Sequence, residues 1–207
     1  MNIIVFGATG KTGLAFCEAA LEKDHNITAF LRSPEKLGIE RANLSVIIGD
    51  VYNSEEVAAA VAGNDAVVCA LGSGQSLAKT DIRSAGTSNI ITAMKSTNVK
   101  RLFVVSAMGV GESWDDLSLI NKLFFAVLLK SSREDHEAQE AAVKASDLDW
   151  TIIRPSGLTD EPATGDYMTG ERIKAITSKI ARADIAHLIL KELEANQLAG
   201  KAVTITN

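Results

Sequence analysis

The sequence predicts an α/β protein with a Rossmann-type, doubly wound parallel sheet in a single domain, and three observations lead to that fold. Short apolar runs alternate along the chain with segments of helical periodicity, as in sheets covered by helices on both faces. The first apolar run, residues 3–6, is followed by three glycines at Gly-x-x-Gly-x-x-Gly spacing and then by a helical pattern. The chain has 207 residues, 46% of them hydrophobic, enough to bury one full core.

The glycine segment VFGATGKTGL leaves a choice between two phosphate-binding sites, because it also contains Gly-Lys-Thr. A nucleotide-hydrolysing P-loop needs a glycine five positions before the glycine of Gly-Lys-Thr. That residue is Val5, within the apolar run, so the P-loop is excluded. In a dinucleotide-binding turn, Gly7 would make the bend, Gly10 would let the pyrophosphate approach the backbone, and Gly13 would let the helix pack on the strand.

Six further apolar segments predict the remaining strands. In chain order they are NITAFLR, LSVIIGD, DAVVCALG, VKRLFVVSA, DWTIIRP and KAVTITN. After the helix that follows the glycines, further helices are predicted over residues 54–61, about 80–96, 115–145 with a break near 131–132, and 184–195. Right-handed crossovers give the sheet order 3-2-1-4-5-6, with ligands at the carboxyl ends of the strands.

The ends of strands two and three predict the adenosine side of a cofactor site. Arg32 and Ser33 stand where a carboxylate would bind the ribose 2′-hydroxyl of NAD. A guanidinium beside a hydroxyl suits the 2′-phosphate of NADP instead, although Arg32 could also be a solvated surface residue. Asp50 and Val51 follow strand three at the level of the adenine, and a helix cap is an equal alternative there.

The ends of strands four and five predict the other half of that site. Strand four ends in ALGSG, whose small residues permit a cofactor to run close over the backbone. Strand five ends at Ser106, above the centre of the sheet. Its hydroxyl could donate to a developing negative charge or hold the nicotinamide.

Composition and charge exclude several classes of protein. The net charge of −5 provides no basic surface for nucleic acid. The longest apolar run, residues 123–129, is too short to span a bilayer, and no charged leader precedes the first strand, so we expect a cytoplasmic protein without a membrane partner. No metal is expected, because His and Cys show no zinc-binding spacing. Cys17 and Cys69 lie in predicted core segments and are expected to be reduced, buried thiols.

The motifs GATGKTG, LRS, IIGDV, VAGNDAVVCALG, GTSNIITAMKSTNVKRLFVVSA and DWTIIRPSGLTDEPATGDY resemble, in order and across nearly the whole chain, the atypical short-chain dehydrogenase/reductase family. Within that family the sequence is similar to the flavin reductase/biliverdin-IXβ reductase group and to bacterial NAD(P)H-binding relatives. The resemblance implies an NADPH-binding fold.

The resemblance also implies roles for individual residues. The phosphate loop is matched by Gly7, Thr9, Gly10, Lys11 and Thr12, the 2′-phosphate contact by Arg32, the adenine contact by Asp50 and Val51, and the ribose side by Leu71 and Gly72. Ser106 matches the active-site serine, and His136 matches a histidine near the cofactor. Without the resemblance, His136 would be interpreted as a helix-surface residue. Gly13, Ser33, Ala70 and Pro155 complete the predicted cofactor contacts.

Two departures from the family concern the substrate side, which we expect to be formed by residues 107–135 and 156–180. The flavin reductases have a histidine after the proline of strand six, whereas Ser156 follows Pro155 here. The segment 106–130 is also longer and more apolar than its counterpart. The acceptor therefore does not follow from the resemblance.

The acid–base pair of alcohol-oxidising short-chain dehydrogenases is missing. Those enzymes use Tyr-x-x-x-Lys, in which the lysine lowers the pKa of the tyrosine. The two tyrosines here, Tyr52 and Tyr167, are followed four residues later by Glu56 and Glu171. This argues against sugar epimerases and ordinary alcohol dehydrogenases, and favours acceptors whose protons come from solvent.

Two classes of function are consistent with these observations. One is an NADPH-dependent oxidoreductase that transfers a hydride to a small-molecule acceptor, a flavin, a quinone or a similar conjugated compound. The other is a non-catalytic, NmrA-like protein that binds NADP and reports redox state to a protein partner. In either case we expect a monomer or a weak homodimer.

Overall fold

A computed structural model describes residues 1–74, 80–114, 130–173 and 179–207, which form one α/β unit. The strands are β1 Asn2–Phe6, β2 Asn26–Leu31, β3 Leu44–Ile48, β4 Ala66–Cys69, β5 Arg101–Val105, β6 Asp149–Pro155, β7 Gly157–Thr159, β8 Met168–Gly170, β9 Lys179–Ala181 and β10 Lys201–Thr206. The helices are α1 Lys11–Glu22, α2 Ser54–Val61, α3 Ile82–Thr97, α4 Lys130–Lys144 and α5 Arg182–Ala195. Short 3₁₀ turns occupy Pro34–Lys36 and Gly111–Trp114.

The central sheet has eight strands in the order β3-β2-β1-β4-β5-β6-β10-β8. Its first six positions confirm the predicted order, and all of these neighbouring pairs are parallel. β10 extends the sheet in parallel beside β6, and β8 pairs antiparallel with β10. The fold is therefore the predicted doubly wound sheet.

Two hydrophobic cores cover the two faces of this sheet. Side chains alternate between faces along each strand, so Ile3 and Val5 of β1 pack in a core with α1 and α5. Ile4 and Phe6 pack in the other core, with α2 and α3. The carboxyl ends of the strands, where the loops begin, are thereby held between two fixed helical layers.

Asparagine side chains and backbone conformations set several helix ends. Asn53 caps α2, accepting hydrogen bonds from the backbone N–H groups of Glu55 and Glu56 at 3.1 and 3.3 Å. α3 and α5 stop where Asn98 and Asn196 adopt the left-handed conformation, with φ of 59° and 48°.

The structure differs from the sequence prediction at the periphery. β3 lies at the edge of the sheet, as the predicted order has it, but its apolar side chains are not covered by helices, and Ile48 is 66% exposed. The strands β7, β8 and β9 were not predicted, because three residues are too few to show a period. α4 is helical through residues 131–132, where a break was predicted. The part of that predicted helix over residues 115–129 lies outside the described residues.

Both cysteines are free and buried, as predicted. Burial raises the pKa of the Cys17 thiol to about 12, so it is un-ionised at neutral pH. Within the described ranges, no helix is both long and apolar enough to cross a membrane.

Candidate cofactor and active site

Of the three glycines in the turn after β1, the fold requires Gly7 and Gly13, whereas Gly10 could be replaced without a severe clash. Gly7 has φ +85°, and a Cβ there would lie 2.3 Å from the carbonyl oxygen of Ala70. A Cβ on Gly13 would lie 2.3 Å from the carbonyl oxygen of Gly7, so α1 packs closely on the turn only because that atom is missing. Gly10 has an ordinary φ of −76°, and a Cβ there would lie 3.2 Å from the Gly7 oxygen.

A cavity of about 1320 Å³ lies at the carboxyl ends of the central strands. It brings together most of the predicted site residues, which are Gly7, Thr9, Gly10, Lys11, Thr12, Arg32, Val51, Ala70, Leu71, Gly72, Ser106, His136 and Pro155. Its volume exceeds the range of about 300–1,000 Å³ usual for small-ligand pockets. The cavity therefore has room for a dinucleotide and part of a second molecule.

Three predicted residues do not line the cavity. Gly13 is buried between α1 and the glycine turn. Ser33 precedes the first 3₁₀ turn. The carboxylate of Asp50 accepts a hydrogen bond from the backbone N–H of Tyr52 at 3.1 Å and so stabilises a turn. Asp50 therefore does not cap α2, which Asn53 caps, and it does not line the cavity.

The cavity is cationic in a chain whose net charge is −5. Four basic residues line it, Lys11, Arg32, Arg83 and Arg182, and no aspartate or glutamate is among its described lining residues. Such a wall attracts a polyanion. The lining and the open backbone at Gly10 therefore fit a nicotinamide dinucleotide with its phosphates.

Arg182 is brought to the phosphate loop by an acidic residue that the sequence analysis missed. Asp160, in the loop after β7, is ion-paired with both Lys11 and Arg182. The hydrogen bond from Lys11 is the main reason that the pKa of Asp160 is lowered. The first residue of α1 and the first of α5 are thus held side by side at one edge of the cavity.

Ser106, at the end of β5, is buried, and its hydroxyl donates its proton to a neighbouring carboxylate. Its Oγ donates to Oε1 of Glu140 at 2.7 Å, and its backbone N–H donates to the carbonyl oxygen of Ile153 at 2.7 Å. A serine hydroxyl has one proton and two lone pairs. Toward the cavity, Ser106 can therefore act as a hydrogen-bond acceptor. This arrangement does not support the other role considered from the sequence, donation to a developing negative charge.

A buried ion network behind Ser106 fixes this arrangement. Arg154, on β6, is 1% exposed and donates from Nε to Oε1 of Glu140 at 2.9 Å. Its Nη2 donates to the second oxygen of Glu140 and, at 2.7 Å, to Glu112. Lys144 completes the network by donating to Glu112 at 2.9 Å. Hydrogen bonds from Arg154 and Lys144 lower the pKa of Glu112 to about 2, so its carboxylate is charged at neutral pH.

Two sequence signals could have revealed this network. Arg154 interrupts the apolar strand segment TIIRP, where a charged side chain must be paired if it is buried. Glu140 follows His136 by four residues and so shares its helix face. Gly111, with φ +55°, leaves room for the guanidinium, since a Cβ there would lie 2.6 Å from Nη2 of Arg154.

His136 lies on α4 in the cavity wall, so its interpretation as a helix-surface residue is wrong. The residue is 8% exposed, and its Nδ1 lies 3.4 Å from Oγ of Ser106. Burial, and next the positive charge of Arg83, lower its pKa to about 4. The imidazole is therefore neutral at pH 7 and does not supply an acidic proton to a ligand.

The neutral state of His136 predicts a pH dependence of stability. Because its pKa is about 4 when folded against an ordinary 6.5, the unfolded chain takes up a proton first as the pH falls. The free energy of unfolding should then fall between pH 6.5 and pH 4, by up to about 1.4 kcal/mol per pH unit. Urea unfolding of the wild type and His136→Gln across this range checks the effect. If the free energy of unfolding changed with pH equally in the wild type and in His136→Gln, the pKa of His136 would be the same in the folded and unfolded protein.

The tyrosines are not arranged as acid–base catalysts. Tyr52 lines the cavity and donates to Oδ1 of Asp81 at 2.8 Å. Its pKa is raised, by burial and then by that hydrogen bond, whereas a catalytic tyrosine needs a lowered one. Tyr167 is hydrogen-bonded to Nδ1 of His187 at 2.8 Å and is not among the lining residues.

Comparison with known proteins agrees with this geometry. A family model described as NAD(P)H-binding matches residues 7–196. The uncharacterised sugar epimerase YhfK of Bacillus subtilis is 29% identical over 214 residues, with 100% of this chain and 94% of that protein aligned. The oxidoreductase ylbE of Lactococcus lactis has a TM-score of 0.85 at 25% identity, covering 100% of this chain and 91% of that one. The anaerobilin reductase ChuY of Escherichia coli O157:H7 has a TM-score of 0.82 at 24% identity, covering 100% and 97%, a likeness of fold alone.

Proposed function

The chain belongs to the NAD(P)H-binding family of atypical short-chain dehydrogenases/reductases, and on that premise we propose that it is an NADPH-dependent reductase that transfers a hydride to a flavin, a quinone or a similar conjugated acceptor. The observation that carries this proposal is the composition of one cavity. A cationic phosphate-binding end and the Ser106–His136 pair share it, and that pair supplies no acidic proton.

The residues of the phosphate end would bind the cofactor by charge and by open backbone. Gly10 precedes α1, so the free N–H groups of the first helical turn and the side chain of Lys11, which lines the cavity, would contact the same phosphate groups. Arg32 is exposed at the end of β2 and lines the cavity, which supports a contact to the 2′-phosphate of NADPH. NADPH, when bound, supplies the hydride.

Ser106 and His136 would shape the reacting end. Ser106 gives its proton to Glu140 and can accept a hydrogen bond, so it would hold an amide N–H, such as that of a carboxamide. His136 stays neutral and adds no charge to the wall. Because neither group donates an acidic proton, the acceptor must delocalise the negative charge that a hydride brings and take its proton from solvent. Conjugated acceptors do so, and simple carbonyl compounds do not.

The test is an NADPH-oxidation assay with purified protein across flavins, quinones, linear tetrapyrroles and simple carbonyl compounds. We expect turnover with one or more conjugated acceptors and none with the carbonyl compounds. A protein that binds NADPH but oxidises it with none of these acceptors would be better explained as an NADP-binding sensor. A partner whose binding depends on NADP occupancy should then be found.

Arg32→Ala should change the choice of cofactor. Loss of a charge-assisted contact to the 2′-phosphate is expected to weaken NADPH binding about tenfold to a hundredfold, while NADH binding hardly changes. Isothermal titration with both cofactors measures the difference. Equal weakening of NADPH and NADH would show that Arg32 only supports its loop.

Ser106→Ala should lower kcat more than it weakens NADPH binding. We expect a loss of about tenfold in kcat, below the 10²–10³ typical of a lost donor to a developing oxyanion, because Ser106 orients a ligand rather than stabilising charge. Ser146→Ala is the matched control, since Ser146 is also buried but donates to the Val143 carbonyl oxygen at the end of α4. A loss that appears only in NADPH affinity, or equally in the control, would contradict this role.

A further inference from the structure

Arg83, in the first turn of α3, is a buried cation to which the hydride transfer proposed above assigns no role. It is 9% exposed and lines the cavity. Its Nη2 points toward Gly72 at the end of β4, where an added Cβ would lie 3.5 Å away. Its charge also acts on His136, so Arg83 belongs to the reacting end of the cavity.

Among the described residues, the guanidinium of Arg83 has one carboxylate contact, and it is long. Asp135 accepts hydrogen bonds from the backbone N–H groups of Arg83 and Ser84 at 3.2 and 2.9 Å and from the Ser84 hydroxyl at 2.7 Å. The contact from Nη1 of Arg83 is the longest of the four, at 3.4 Å. Asp135 is thus largely satisfied by α3 itself.

The other edge of the guanidinium lacks a partner in the described part of the chain. Nε is buried and makes no hydrogen bond there. Nε and Nη2 form the side of the planar fork that faces away from Nη1, and such an edge matches two oxygens of a carboxylate or phosphate. A buried, incompletely paired guanidinium is costly unless a ligand completes its hydrogen bonds.

The remaining cations of the cavity lie elsewhere and would bind the cofactor phosphates. Lys11 and Arg182 begin α1 and α5, on one face of the sheet. Arg32 follows β2, which is separated from β4 by β1, so the ends of β2 and β4 are about 10 Å apart. Arg83 follows β4 on the opposite face, with α3. Position therefore assigns Arg83 to a different anion.

We propose that Arg83 binds an anionic group of the acceptor, a carboxylate or a phosphate, at the end of the cavity formed by Gly72 and His136. The inference rests on the proposed hydride transfer and narrows its acceptor to conjugated molecules that carry such a group.

FMN and riboflavin provide a matched pair of probes, because they share the conjugated ring and differ by one phosphate. Each is titrated into NADP⁺-saturated protein, and flavin fluorescence is measured, so that no turnover is needed. Wild-type protein should bind FMN at least about tenfold more tightly than riboflavin. Arg83→Gln should reduce that preference to about twofold or less, and Arg83→Lys, which keeps the charge without the fork, should retain part of it.

Arg41→Gln is the matched control, since Arg41 is exposed before β3, at the opposite end of the sheet, and its loss changes the net charge equally. It should keep the full preference. Thermal unfolding verifies that each variant is folded, and Arg83→Lys serves as the test if Arg83→Gln is not.

The possible results distinguish failure of the proposed anion site from failure of the proposed hydride transfer. Equal affinity for the two flavins, no FMN binding, or an undiminished preference in the Arg83 variants would overturn the anion site. An equal weakening of NADP⁺ would make Arg83 a cofactor contact and would also overturn it. An Arg83-dependent FMN preference without NADPH oxidation would keep the site and reject the hydride transfer.

Discussion

Gly10→Val is expected to weaken NADPH binding by at least about 100-fold, equivalent to ~2.7 kcal/mol, while the protein stays folded. The φ of Gly10, −76°, is open to any residue, and a Cβ would meet the Gly7 oxygen at 3.2 Å, a contact that a shift of a few tenths of an ångström relieves. The valine methyl groups, however, would occupy the space before the first turn of α1, where phosphates must approach the backbone.

Two further glycine variants serve as controls for that experiment. Gly10→Ala adds only the Cβ and should weaken binding less than valine does. Gly13→Val should instead destabilise the fold, because even its Cβ would collide with the Gly7 backbone at 2.3 Å. Calorimetric titration with NADPH and thermal unfolding distinguish the two effects. An unchanged NADPH dissociation constant in folded Gly10→Val would remove the phosphate loop from this account.

Arg154→Met is expected to lower the free energy of unfolding by about 3–5 kcal/mol. Glu140, which is 2% exposed, would lose both of its hydrogen bonds to the guanidinium. Lys144, whose Nζ is 3.7 Å from Glu140, would be its nearest remaining cation in the network. Breaking one side of a buried ion pair leaves an uncompensated charge, which costs more than the intact pair contributes. Urea unfolding at neutral pH measures the loss.

The double variant Arg154→Met/Glu140→Leu separates stability from the positioning of Ser106. Removal of both charges should recover much of the lost stability, because well-packed apolar side chains often replace a buried pair at little cost. Ser106 loses the carboxylate that holds its proton only in the double variant, so kcat should fall there although stability recovers. A single variant as stable as the wild type would show that solvent reaches Glu140 and screens its charge.

The fold was largely predictable from local signals. The glycine turn and alternating strand and helix patterns indicate the order of the first six strands. The small strands β7 and β9 could not be predicted, since three residues show no periodicity and their pairing depends on tertiary contacts. The predicted order places β3 at the edge of the sheet, but its apolar pattern does not indicate that its side chains are exposed there.

Part of the candidate site was predictable because its residues directly follow the strands. Gly7, Gly10 and Arg32 follow strand ends at spacings that the fold requires. Arg83 and Glu140 lie in helices that are distant in sequence from the phosphate loop, and they reach the cavity or its rear wall only by packing. The direction of the Ser106 proton depends on Glu140, so sequence spacing could not decide between donor and acceptor.

The rate of NADPH oxidation, compared between NADPH and NADPH deuterated at both C4 positions, tests hydride transfer most directly. The conjugated acceptor with the highest turnover in the panel is used, under single-turnover conditions with enzyme in excess. The account predicts slower oxidation of the deuterated cofactor, with deuterium in the reduced product when the acceptor does not exchange it with solvent. Tight NADPH binding with no oxidation above the buffer rate for any acceptor would contradict it.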